Sequence, residues 1–122
     1  MDEIRLTLPP ERSFFPVAHL VLSGLASRLE LTLERIDDLQ LALDTLLERA
    51  RSPEITVALR MLGETLETEV GPFDGELRPE LEQPGSGVGV RRILDATVDD
   101  FAIDERGGAV WVTMRHRVVR RA

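Results

Sequence analysis

The string GSGVGVRRILDATVDDF, Gly85 to Phe101, holds the residue types best placed to do chemistry. Gly85, Gly87 and Gly89 alternate and run into a helical stretch. Glycines let a backbone come close to an anion, and the first turn of a helix offers N–H groups with no intrahelical partner. That combination suits a phosphate cradle. Its structural alternative is a helix that starts tightly beside a sheet. It is not the dinucleotide fingerprint, because no strand of a βαβ unit leads into it. Four carboxylates, Asp37, Asp38, Asp44 and Glu48, share one face of the segment 33–51, which reads most simply as a solvated face. Asp74-Gly75 closes an x-P-x-D-G pattern typical of a turn. The two histidines lie far apart in sequence, so no His-rich metal site is expected. His19 reads as a surface or boundary residue and a candidate for an interface rather than a base. His116 alternates with apolar residues and is expected to be packed or hydrogen-bonded. Trp111 sits on the strand face opposite Val110 and Val112. It is an interface anchor if helices leave that face open, and core if they cover it. Arg115, Arg117, Arg120 and Arg121 form a basic cluster near the end of an acidic chain.

The elements that must position these residues follow from periodicity. Residues 2–8 alternate, with Ile4, Leu6 and Leu8 on one face, and Pro9-Pro10 stop them, as suits an edge strand. Residues 13–29 read as a helix capped by Ser13, with Pro16 in its first turn and Phe14, Val17, Val21, Leu25 and Leu29 as its apolar stripe. Thr32 is the expected N-cap of a second helix over 33–51, whose stripe is Ile36, Leu39, Leu43, Leu46, Leu47 and Ala50. Strands are expected over 55–62 and 66–70, joined by a turn at Gly63. An irregular Pro- and Gly-rich stretch of the kind that serves as a lid follows over 71–87. A third helix then covers about 88–97, a strand passes through Phe101 and Ile103, and a last strand spans 109–119. The expected fold class is α+β: a two-layer sandwich of a mixed, mainly antiparallel sheet with helices on one face, in a single domain over 1–122.

Composition narrows the chemistry further. The 122 residues include no cysteine, which removes disulfides, thiolate metal sites and Cys nucleophiles. Every one of the 15 basic residues is arginine, which removes Schiff-base lysines and a P-loop lysine. The net charge of −7 opposes phosphate backbones and argues against nucleic acid as the main partner. No apolar run approaches the roughly 20 residues that span a bilayer. The opening MDEIRLTLPPERS has no signal-peptide core, so a cytoplasmic location is expected.

These residues, read together, carry a resemblance. The whole chain is similar to the Ser/Thr-kinase anti-sigma factors of the GHKL (histidine-kinase-like) ATPase superfamily, which have the Bergerat fold. RIDDLQLALDTLLERA (35–50) resembles their second helix, usually D-L-x-x-A-V-x-E-x-x-x-N, with Asp38, Leu39, Ala42 and Leu43 matching its start. GVGVRRILDATVDDFAIDERGGAVWVTMR (87–115) resembles their closing segment.

The resemblance also locates departures. The catalytic Glu position holds Thr45, and the position of the Mg²⁺-ligating Asn holds Arg49, a cation where the ion needs oxygen ligands. Asp44, the substitute base the resemblance allows, is one residue off and therefore turned by about 100° on a helix. The family's D-x-G, whose Asp accepts the adenine amino group, aligns with Pro72, Phe73 and Asp74, so Asp74-Gly75 is a copy displaced by two residues. What the resemblance then implies is a binding module with a degenerate nucleotide site, no catalytic residue and no cofactor. Its partner would be a sigma factor or a STAS-type antagonist, with a homodimer by analogy. The alternative is an active serine kinase using ATP and Mg²⁺, with Asp44 as base, Asp74 on adenine and Gly85, Gly87 and Gly89 around the phosphates.

Overall fold

The structure, a computed structural model, describes residues 3–83 and 89–118. Five strands, β1 (Ile4–Leu8), β2 (Ile55–Leu62), β3 (Thr65–Phe73), β4 (Asp100–Arg106) and β5 (Ala109–Arg117), make one sheet in the order β1-β2-β3-β5-β4. Helices α1 (Phe15–Arg28), α2 (Leu33–Leu47), α3 (Leu77–Glu82) and α4 (Val90–Thr97) complete the described elements. The expected sheet is mainly antiparallel, and every pair described here is antiparallel. The reason is the connections. Two-residue hairpins join β2 to β3 and β4 to β5, the α1–α2 excursion returns β2 antiparallel to β1, and β5 lies between β3 and β4, which run parallel to each other without pairing. Gly63 (φ 61°) opens the first hairpin, and Gly107 and Gly108 (φ 58° and 81°) form the second, where left-handed backbone matches the strand twist.

One sheet face carries the core. Leu6, Val57, Val70 and Val112 run across β1, β2, β3 and β5 in register, and Met114 and His116 continue that face of β5. Against it, α2 presents Leu39, Ala42, Leu43, Leu46 and Leu47, none more than 1% exposed. This is the stripe that its periodicity predicts, shifted only at its ends. Thr32 caps α2 as expected, its hydroxyl accepting from the Arg35 N–H at 3.2 Å. The helix stops at Leu47 rather than 51 because its last turn tightens, with Arg49 N–H donating to the Leu46 carbonyl and Ala50 N–H to that of Leu47.

Helix α1 departs from expectation. Phe14 and Val17, predicted to face inward, are 39% and 44% exposed, while Phe15, Ala18, Leu22 and Ala26 are buried. Ser13 makes no cap, because a 3₁₀ turn over Arg12–Phe14 precedes the helix. The helix is apolar nearly all round, so spacing alone could not choose between two offset stripes. The structure buries the face holding two alanines, which lets α1 lie close over its neighbours.

Residues 71–83, the described part of the stretch expected to be irregular over 71–87, carry more regular structure than their Pro and Gly content predicts. Strand β3 extends through a bulge to Phe73, and α3 follows, held by Leu77 and Leu81 at helical spacing, 3% and 0% exposed.

The other sheet face carries none of the described helices. Trp111 lies on it, half-buried, with its ring against Gly71 of β3 and the Arg106 guanidinium 5.1 Å above the ring centre. A Cβ on Gly71 would stand 2.3 Å from that ring. Gly71→Ala is therefore expected to cost about 1–3 kcal/mol in urea unfolding, as overpacking does. In a Trp111→Ala background the same change should cost less than about 0.5 kcal/mol, because the obstructing ring is gone.

Candidate functional site

The residues singled out on α2 each have a partner. Asp44 turns toward α1, where its Oδ1 lies 2.6 Å from Nε2 of His19; both side chains are about 30% exposed. The two residues were read separately in sequence, and the structure brings them together across the helix pair. At the next residue, the Thr45 hydroxyl donates to the Leu41 carbonyl of its own helix at 2.7 Å. Arg49 lies 3.5 Å from a carboxylate oxygen of Glu80 on α3. A guanidinium offers N–H donors and no lone pair, so at this position it can hold a carboxylate or a phosphate oxygen but cannot ligate a metal.

Asp74 sits just beyond β3. Its Oδ1 accepts from the Glu76 N–H at 3.0 Å, a local side-chain turn, and its other oxygen is 3.8 Å from Arg51. Arg51 also binds Glu76 at 2.9 Å. With Arg51, Phe73 and Gly108, Asp74 lines a cleft of about 400 Å³. Thus Arg49 and Arg51, following α2, hold Glu80 and Glu76 of the segment that leaves β3. These pairs are solvated, and such pairs are worth about 0–1 kcal/mol each, so their meaning is positional rather than energetic. Gly89 is the N-cap of α4 in extended backbone, its carbonyl accepting from Ile93 N–H at 3.1 Å. Gly85 and Gly87 lie outside the described residues, as do Arg120 and Arg121.

A second electrostatic feature, unread in the sequence, occupies the helix-free sheet face. Arg60, Glu67, Arg115 and Asp100 stand in one cross-strand row of alternating charge. Beside it Glu69 accepts two bonds from Arg106, at 2.7 and 3.1 Å. That bidentate hydrogen bond holds the Glu69 carboxyl below its ordinary range and pushes the Arg106 guanidinium above its own. Arg115 is likewise raised, chiefly by its bond to Asp100. The signal was present in principle: ETE in β3 and alternating residues in β5 imply facing charges once the register is known.

On the core face, His116 is fully buried and donates from Nε2 to the Thr97 carbonyl at 2.9 Å, leaving Nδ1 without a partner among the described residues. Burial pushes its pKa below the ordinary 6.5. Nearby, Asp99 takes a bond from Arg35 and one from the Arg117 N–H, which together hold its carboxyl below the usual range. These interactions tie α2 to β5. No described helix is long and apolar enough to cross a membrane.

No family model matches the chain, and no curated protein matches it in sequence. Among solved structures, it is similar over 100% of its length to the RsbU and RsbW domains of Rv1364c from Mycobacterium tuberculosis, with a TM-score of 0.72 at 19% identity. It spans 34% of that chain, about a third. The likeness is one of fold: an antiparallel five-stranded sheet with its helices on one face is an architecture this chain shares with that crystal structure.

Proposed function

We propose that this chain is a regulatory protein of the anti-sigma-factor kind that acts by binding another protein, its nucleotide site given over to ion pairs. Its partner is a sigma factor or a STAS-type antagonist, and the chain acts in the cytoplasm without touching nucleic acid directly. The observation that carries the reading is Arg49, paired with Glu80 where the resemblance calls for a metal-holding amide. Around it the oxygen donors a magnesium nucleotide would need are engaged elsewhere. Asp44 faces His19, the Thr45 hydroxyl faces its own helix, and Asp74 caps a local turn. This donor set does not fit Mg²⁺. The shared fold supports the anti-sigma reading as architecture, and function rests on these residues. A homodimer formed through the open edge of β1 belongs to the same proposal.

Thermal melting with and without millimolar ATP–Mg²⁺ tests the nucleotide half. A ligand that binds only the folded state raises the melting temperature by mass action, so no shift is expected. A shift abolished by Asp74→Asn in a folded protein would instead revive the nucleotide reading, as an ATP-binding regulator or as a kinase with Asp44 as base. Affinity capture from the native host tests the other half. A sigma factor or STAS-domain protein is the expected catch, and a partner of neither class overturns the assignment.

A further inference from the structure

The described surface has seven large exposed apolar side chains, and five of them cluster on the two-helix layer: Phe14, Val17, Leu20, Leu33 and Leu41. This concentration marks α1 and α2 as the face to explain, since scattered exposed leucines are ordinary and clustered ones are not. The groove between the helices has a defined floor. His19 meets Asp44 at 2.6 Å, and the Gln40 amide donates to the Ser23 hydroxyl at 3.3 Å. These two pairs set the level at which the antiparallel helices run side by side. Leu20 stands between His19 and Ser23, rotated by about 100° past His19 and away from the core. Leu41 stands between Gln40 and Asp44 on the facing helix, similarly turned outward. The two leucines, 75% and 51% exposed, are therefore the banks of a polar-floored groove.

The charge on α2 beside the groove is mainly acidic, with Arg28 at the end of α1 the one cation of the two helices that has no ion pair among the described residues. Glu34, Asp37 and Asp38 on α2 make no ion pair among the described residues, and Arg35 between them is turned away onto Asp99. Arg12, at the other end, is held by Glu48.

We infer that the groove between α1 and α2, banked by Leu20 and Leu41 and flanked by Glu34, Asp37 and Asp38, receives an amphipathic helix of the partner protein whose polar flank is basic. This rests on the protein-binding reading above and supplies the binding face for it. Helix-in-groove docking reads apolar anchors at i, i+3 or i+4 and i+7, and two leucine banks suit such anchors. The unpaired carboxylates steer a basic flank and reject an acidic one.

The test uses the whole chain and three fluorescein-labelled 18-residue peptides of Leu, Ala and Arg or Glu. One is a basic amphipathic helix, one has the same composition scrambled, and one carries Glu for every Arg. By fluorescence anisotropy the basic amphipathic peptide is expected to bind at least about tenfold more tightly than either control. Leu20→Ala with Leu41→Ala should weaken it by about tenfold without moving the urea midpoint. Asp37→Asn with Asp38→Asn should flatten its salt dependence. Equal binding of the scrambled peptide, or no loss in the leucine pair variant, overturns the inference. So does a free dimer in sedimentation that the leucine changes dissociate, which would make a second copy the occupant. A sigma factor or STAS protein captured equally by wild type and leucine variant would leave the binding reading standing and reject this face alone.

Discussion

Leu22→Ala is expected to cost about 3 kcal/mol of folding stability, while Leu20→Ala, two residues earlier on the same helix, costs less than about 0.5 kcal/mol. Leu22 is 1% exposed and packs in the core, whereas Leu20 is 75% exposed on the outer face of α1. Truncating a buried leucine loses its transfer free energy and leaves a cavity the neighbours only partly fill. Truncating a solvated one loses neither, and alanine is the better helix former. Against a total stability of about 5–15 kcal/mol, the first change is a large fraction. Urea unfolding should show a much lower midpoint for Leu22→Ala with an unchanged slope, and an unmoved midpoint for Leu20→Ala. Equal costs for the two variants would mean that α1 is rotated from the orientation described.

The second large effect is the acid limb of stability, which begins at His116. Its imidazole is held neutral by burial, and the Arg35 guanidinium adds to the penalty for a charge there, while Thr97, Asp99 and Asp38 partly oppose it. The folded-state pKa therefore lies below the ordinary 6.5 of the unfolded chain. Below that pH the unfolded state takes up a proton that the folded state refuses. Its stabilising contribution is complete above about pH 6.5 and is lost as pH falls from there toward the folded value, with a slope that cannot exceed about 1.4 kcal/mol per pH unit for one proton. Glu69 and Asp99 add a separate limb lower down. Their folded values lie below the ordinary 4.5 and 3.8, so their contribution is present above those values and is lost as pH falls through the folded ones. Urea midpoints measured from pH 7.5 down to about pH 2 should show both limbs. His116→Gln should remove the upper limb and keep the lower one. It should also cost about 1–3 kcal/mol at neutral pH, because a flexible amide must replace a rigid, fitted ring and its bond to the Thr97 carbonyl. An upper limb that survives the substitution would place its origin elsewhere.

Both effects turn on how far side-chain patterning could be read along the chain. Helix α2 was legible almost residue for residue, because its apolar and acidic faces differ and Thr32 marks its start. The strands were legible too, since Ile4, Leu6 and Leu8 alternate with Arg5 and Thr7, and Val112, Met114 and His116 with Thr113 and Arg115. Helix α1 was legible as a helix but not in its orientation. With apolar residues on two faces, period 3.6 fits both, and only packing against α2 and the sheet selects one. Helix α3 was hidden by Pro79 and by its six-residue length, too short for periodicity to stand out.

At the candidate site the division is sharper. The composition alone removed thiol and lysine chemistry, and the resemblance set Arg49, just past the end of α2, where a metal-holding Asn is expected. The sequence by itself thus determined most element types and the acidic character of α2. The tertiary structure decided which groups those side chains meet: His19 with Asp44 across 25 residues, Arg35 with Asp99 across 64, Arg49 with Glu80, and Arg106 with Glu69. Periodicity is a property of neighbours three or four residues apart, whereas a carboxylate's partner depends on which helix face and which strand register the whole core selects.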